Sequence, residues 1–231
     1  MGALMRNVVI GTAPNGEVFD FKADRIQHTT SIENTVEWRK SIEEKSDAEV
    51  ILFQSVNSSL PYYREVKRNP YYERFKNAYI YLQENEDVMF AWVTDSTDVT
   101  MNKDPFGAME EDIFYISQEN IQWNRAWKQA QIHKHINSFD RRYLRIHGNN
   151  KFLNCGVLGG DRATLLKFFE LLFIEWDKIY NSDNGMVDMY LSNMITYKHF
   201  SENYVTGIGV INNVFKSMKP TVRGEEYWLH K

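Results

Sequence analysis

Cysteine is almost missing from this 231-residue chain: Cys155 stands alone. One thiol excludes an internal disulfide, and its scarcity points to a reducing compartment. No apolar run is long enough to span a bilayer, and the first residues lack the apolar core of a secretory signal. A cytoplasmic location is the expectation. Positive charge is not in excess either. The formal net charge is −4, which removes the electrostatic case for general nucleic-acid binding. No internal repeat, low-complexity segment or linker divides the chain, so residues 1–231 read as one domain. What is present is ordinary for a globular protein with a substantial core: 43% hydrophobic and 25% charged residues. Aromatics reach 14%. They are mostly core, although carbohydrate sites also use aromatic faces.

One stretch organises the rest. Val88 to Val93 is an apolar run that leads directly into Thr94-Asp95-Ser96-Thr97-Asp98-Val99. A run of that kind reads as a buried strand, and Ser and Thr between the acids suit a turn at its end. Open α/β sheets bind ligands beyond the carboxyl ends of their strands. Two carboxylates there offer oxygen ligands to Mg²⁺ or Mn²⁺, and such an ion can hold a diphosphate. An Asp at a strand end also serves simply as a turn cap.

The remaining elements alternate. Asn7 to Ala13 reads as the first strand, with Gly-Thr-Ala leaving a small-residue edge where a flat ring can approach. Ser31 to Ser46 reads as an amphipathic helix capped by Ser31, and Glu49 to Phe53 as a second buried strand. Aromatics at helical spacing place a helix over Tyr62 to Asn85, with Arg74 turned inward to brace the acidic loop. A strand follows at Ile113 to Ser117. Ile121 to Ile146 reads as a helix and loop. His133 and His135 there lack an acid or Cys at ligand spacing, so zinc is disfavoured. Phe152 to Gly160 is a strand with Asn154, Cys155 and Gly156 inside it; glycine in a strand marks a bulge or a close approach. Asp161 caps the next helix, Arg162 to Tyr180, whose Leu165, Phe168, Phe169, Leu172, Trp176 and Ile179 form a core stripe. Val187 to Tyr197 is a further helix with Asp188 in its first turn, a favourable place for negative charge. A strand is expected near Val205 to Ile211. Tyr227, Trp228 and Leu229 are apolar enough to dock the tail.

Together these motifs resemble a GT-A glycosyltransferase. Asp95-Ser96-Thr97-Asp98 is similar to the Asp-x-x-Asp form of that family's metal motif, as in the glycosyltransferase domains acting on collagen hydroxylysine. The chain is also similar to small glycosyltransferases of large algal viruses. Asn154-Cys155-Gly156 resembles the family's Asn-x-Gly strand, which borders donor sugar and acceptor. Asp188-Met189 falls where many members have Asp-Gln, and Trp228-Leu229-His230-Lys231 resembles a C-terminal His segment. The resemblance implies a single α/β domain of GT-A type, with a Rossmann-like mixed central sheet flanked by helices. It implies a divalent ion, Mn²⁺ or Mg²⁺, held by Asp95, Asp98 and His230. Thr12 and Ala13 would line the base, Arg74 would contact the nucleotide or Asp95, and Lys231 would lie near the diphosphate. Gly156 would border the sugar, with Asp188 and Asn154 in catalysis. The implied activity is metal-dependent transfer from a UDP-sugar to a glycan or glycoconjugate hydroxyl, leaning to retention. Asp188 or Asp161 would serve as base if the enzyme inverts. A tail carrying His230 and Lys231 would order over the nucleotide.

Three other readings compete. A haloacid-dehalogenase-type phosphatase needs Asp-x-Asp after its strand, and Thr97 stands at the second position. A nucleotidyltransferase needs a glycine-rich phosphate loop, and Thr12 to Gly16 has one Gly. A non-catalytic carbohydrate- or nucleotide-binding protein remains open; metal-dependent donor hydrolysis separates it from an enzyme.

Overall fold

A computed structural model describes residues 4–13, 17–20, 25–28, 32–54, 70–123, 146–179, 188–207, 210–213 and 225–230. The first strand, β1 (Arg6–Thr12), carries the fully buried Val8, Val9 and Ile10. A short antiparallel pair follows, β2 (Glu17–Asp20) and β3 (Arg25–His28). A 3-10 turn at Ile32–Thr35 leads into α1 (Val36–Glu43) and then β4 (Glu49–Phe53). Helix α2 (Pro70–Glu84) precedes β5 (Val88–Asp95), the strand that ends in the acidic motif, and β6 (Val99–Met101). Then come β7 (Phe114–Gln122), β8 (Lys151–Asp161), α3 (Arg162–Ile179) and α4 (Asp188–His199). Three short strands complete the described chain: β9 (Tyr204–Val205), β10 (Ile211–Asn213) and β11 (Trp228–His230).

Among the described residues, the central sheet has six strands in the order β4-β1-β5-β8-β7-β9. β1 lies parallel to β4 and to β5, and β8 runs antiparallel to β5 and β7. It is the mixed α/β sheet flanked by helices that the sequence implies. The chain leaves β1 for β4 on one side and reaches β5 on the other through α2. That reversal makes the carboxyl ends of β1 and β5 a switch point, the place where such sheets bind ligands.

Period-two alternation gives each strand two apolar faces. Val8 and Ile10 of β1 and Ala91 and Val93 of β5 pack against α2 and α3 through Phe75, Leu82, Leu165, Phe169 and Leu172. The predicted α3 stripe is core as far as Trp176; the Ile179 side chain lies outside the described residues. Val9, Phe90 and Trp92 face the other way and meet Trp38 and Ile42 of α1. A second sheet, β10-β11-β6, closes that face, and its Trp228 sits on Trp92 with ring centroids 5.6 Å apart. Among the described residues, no helix is long and apolar enough to cross a membrane.

Some details differ from the sequence reading. β4 is the edge strand, and Val50 to Phe53 are only partly buried, because nothing pairs beyond it among the described strands. The single strand expected near 205–211 is two short ones in different sheets, β9 beside β7 and β10 beside β11. Asp161 does cap α3, accepting the Thr164 amide at 2.9 Å and its hydroxyl at 2.6 Å. Ser31, residues 14–16, His133, His135 and Lys231 lie outside the described residues.

Candidate metal centre

The acidic motif begins inside the sheet and is fixed from three sides. Register places Thr12 of β1 beside Asp95 of β5. The Ser96 hydroxyl donates to the Thr12 carbonyl at 3.0 Å, which ties the turn to the end of β1. Trp38 Nε1 donates to Thr94 Oγ1 at 2.8 Å from the opposite face. The Trp38 ring also fills the space beside Gly11, where a Cβ would lie 2.7 Å from it. At Gly11 the flat ring that approaches is the protein's own. Ala13 is buried, and its amide donates to the Phe53 carbonyl at 2.8 Å.

His230 arrives from the far end of the chain. β11 is the middle strand of its sheet, antiparallel to β6, with His230 paired to Val99 and Trp228 to Met101. Trp228 is fully buried. The described part of the tail is thus a docked strand. Asp98, one residue before β6, meets His230 at that register. His230 Nε2 stands 3.6 Å from Asp98 Oδ2 and 3.7 Å from Asp95 Oδ2. All three candidate ligand atoms lie within 4.8 Å of one another.

That geometry fits a hard divalent ion. Ligand atoms about 2.1 Å from a common ion stand roughly 3 to 4.2 Å apart, so small adjustments suffice. Two carboxylates and one imidazole suit Mn²⁺ or Mg²⁺ better than a soft thiophilic metal. The Asp98 side chain is 46% exposed, so the cluster opens to solvent on that side. Partial burial pushes the Asp98 carboxyl up, but the hydrogen bond with His230 and the charge of Arg74 outweigh it. The group is held below its ordinary range and stays ionised at neutral pH.

Gly156 makes the space for this cluster. Thr94 pairs with Val157, so the next step along the ladder sets Asp95 against Gly156. A Cβ at Gly156 would fall on His230 Cε1 and lie 2.7 Å from Asp95 Oδ2. The strand is also bulged here: register against β7 slips between Ile116–Leu158 and Ser117–Asn154. Asn154 pins the bulge. Its Oδ1 accepts the Gly156 amide at 2.8 Å, its Nδ2 donates to Glu119 at 3.2 Å, and its carbonyl accepts from Ser117 at 2.6 Å.

Arg74 is 5% exposed and pairs with Asp95 through Nη1, the inward turn that its sequence position suggests. Its Nη2 donates to Cys155 Sγ at 3.6 Å. Asp188, 4% exposed at the start of α4, accepts from the same thiol at 3.4 Å. Thr12, Arg74, Asp95, Asp98, Asn154, Gly156, Asp188 and His230 therefore share one end of the sheet. Asp161 does not belong there. It ends β8 five residues beyond Gly156, about 16 Å away along a strand, and its oxygens serve Thr164 and the Asp112 amide. Cys155, Ser96 and Trp38 are the contributors that motif reading passes over. A cysteine between two motif residues carries no signal of its own, and Trp38 lies more than fifty residues from Thr94.

No protein-family model matches the sequence, and no curated protein matches it. The fold does match a solved structure, "a glycosyltransferase involved in the glycosylation of the major capsid of PBCV-1". The TM-score is 0.53 at 12% identity, over 97% of this chain and 92% of that one. At that identity the likeness is one of fold.

Proposed function

We propose that the chain is a metal-dependent glycosyltransferase, one domain over residues 1–231, moving a sugar from a UDP-sugar to a hydroxyl of a glycan or glycoconjugate. One observation carries the reading. Two carboxylates and an imidazole, from the end of β5, the turn before β6 and the end of β11, stand at ligand spacing where β5 leaves the sheet. The fold it shares with a glycosyltransferase supports the same reading.

A divalent ion at Asp95, Asp98 and His230 would neutralise a diphosphate leaving group, which departs poorly while its charge is uncompensated. The chain's own groups set the stage for that chemistry. Arg74 and Ser96 fix Asp95 and the motif turn, so orientation is established before substrate binds. Thr12 Oγ1 is buried beside Asp95 without a hydrogen-bond partner, a suitable contact for the nucleoside. Lys231 follows His230 directly and would meet the phosphates. Asn154 shapes the bulge that separates nucleotide from acceptor. Asp188 is buried and engaged by the Cys155 thiol, which suits a ligand for sugar hydroxyls better than a solvent-side base. Transfer with retention fits that placement.

A panel of UDP-sugars incubated with Mn²⁺ tests the reading. The expected result is metal-dependent UDP release, lost in Asp98→Ala while the fold is kept. Release that continues without metal, or in Asp98→Ala, overturns it. No release from any donor, with nucleotide binding intact, favours a binding protein.

A further inference from the structure

Cys155 lies directly before Gly156 and is 2% exposed. Its sulfur has two charged neighbours. Arg74 Nη2 donates to it at 3.6 Å, and its own S–H donates to Asp188 Oδ2 at 3.4 Å. The same guanidinium pairs through Nη1 with Asp95. One buried cation thus stands between two carboxylates, and a sulfur atom separates it from the second. Arg74 Nε has no hydrogen-bond partner. The guanidinium is held by its two terminal nitrogens and by the Phe75 ring, 4.6 Å from its carbon.

Two acids next to one guanidinium compete for it. A charge-assisted bond from Arg to a carboxylate is about twice as strong as a neutral one, and sulfur is a weak acceptor. With nothing between them, Nη2 would close on Asp188. The thiol prevents this by its size and by giving Asp188 a donor of its own. Burial, together with the Asp188 charge, pushes the thiol well up, so it keeps its proton and donates. The N-terminus of α4 also favours the negative charge of Asp188, which lowers its demand for a cation. We infer that Cys155 is a positioning residue, standing between Arg74 and Asp188 so that the guanidinium stays committed to Asp95. The inference rests on the reading of Asp95 as a metal ligand. An Asp95 braced by Arg74 keeps its orientation but yields part of its charge, and with it part of its pull on an ion.

The test is Cys155→Ala beside Cys155→Ser. In a crystal structure of the alanine variant, Arg74 is expected in direct contact with Asp188. In the serine variant, which keeps a donor and an acceptor, it is expected on Asp95. Arg74 remaining on Asp95 with no approach to Asp188 in the alanine variant overturns the inference. Calorimetric titration with Mn²⁺ alone gives the second readout. The alanine variant is expected to bind roughly three- to tenfold more tightly, as a neighbouring positive charge withdraws, and the serine variant at parental affinity. A cavity that left Arg74 in place would leave affinity unchanged or weaker, which also overturns the inference. Should the alanine variant not fold, Cys155→Gly removes the same bulk and the same hydrogen bonds and carries both readouts. A parent that binds no Mn²⁺ counts against the metal reading, while the crystal comparison still decides the role of Cys155.

Discussion

At the residue scale, Gly156 has no room for a methyl group. Gly156→Ala would drive a Cβ into His230 and Asp95, and β8 cannot retreat because it pairs on both edges. The ligand side chains must move instead. We expect Mn²⁺ affinity to fall at least about tenfold, roughly 1.4 kcal/mol, with the cooperative unfolding transition retained; unchanged affinity by calorimetry would contradict this. Asn154 spends its amide on Gly156 and Glu119. Asn154→Ala is therefore expected to reduce kcat more than it weakens UDP binding, and the opposite split would move Asn154 to the nucleotide end. His230 ligates only as neutral imidazole. Mn²⁺ affinity should accordingly decline as pH is lowered, and a flat profile would remove His230 from the ligand set.

At the element scale, β11 is what brings His230 across the molecule, and Trp228 is what holds β11. The indole is fully buried against Trp92. Trp228→Ala should cost about 3–5 kcal/mol of local packing and abolish Mn²⁺ binding although Trp228 is no ligand; retained metal affinity would show that the strand docks without it. Arg6 performs a comparable task for β1 at the opposite edge, bonding Asp87 at 2.7 Å, Tyr81 at 2.8 Å and Asn85 at 2.8 Å, with Glu49 as a further partner. The Arg6 hydrogen bond holds the Asp87 carboxyl below its ordinary value. A carboxyl lowered in the folded state contributes stability above its unfolded pKa and loses it as pH falls. Arg6→Leu should lower Tm at neutral pH, and the deficit should shrink under acid conditions as the carboxyls protonate. A deficit that is constant with pH would assign the effect to packing. The elements themselves were mostly legible. β5, β8 and α3 announce themselves because an unbroken apolar run or a 3.6-residue stripe has one solution in water. The two short strands at Tyr204 and Ile211 did not, because two or three residues carry no period and only their partners define them.

At the scale of the whole molecule, the site joins residues that are remote in sequence. Asp95 and Asp98 could be recognised as a pair because the strand that delivers them is itself visible. That His230 completes the set was implied by the order of motifs, but its placement depends on β11 lying between β6 and β10, which no local pattern encodes. Cys155 illustrates the limit of such reading. As a sequence feature it is one small residue in a strand; its contacts exist only once α2 and α4 flank β8. Gly156 was readable as a point of close approach, but not what approaches: it is the protein's own His230 and Asp95 side chains.

The central claim is that Asp95, Asp98 and His230 hold a divalent ion that in turn holds a nucleoside diphosphate. Calorimetry of UDP binding with and without Mn²⁺, beside GDP and UMP, tests it most directly. The account predicts UDP binding that requires both the metal and the second phosphate, with GDP weaker. UDP binding that is indifferent to Mn²⁺, or no nucleotide binding under any condition, would contradict it and leave only the shared fold.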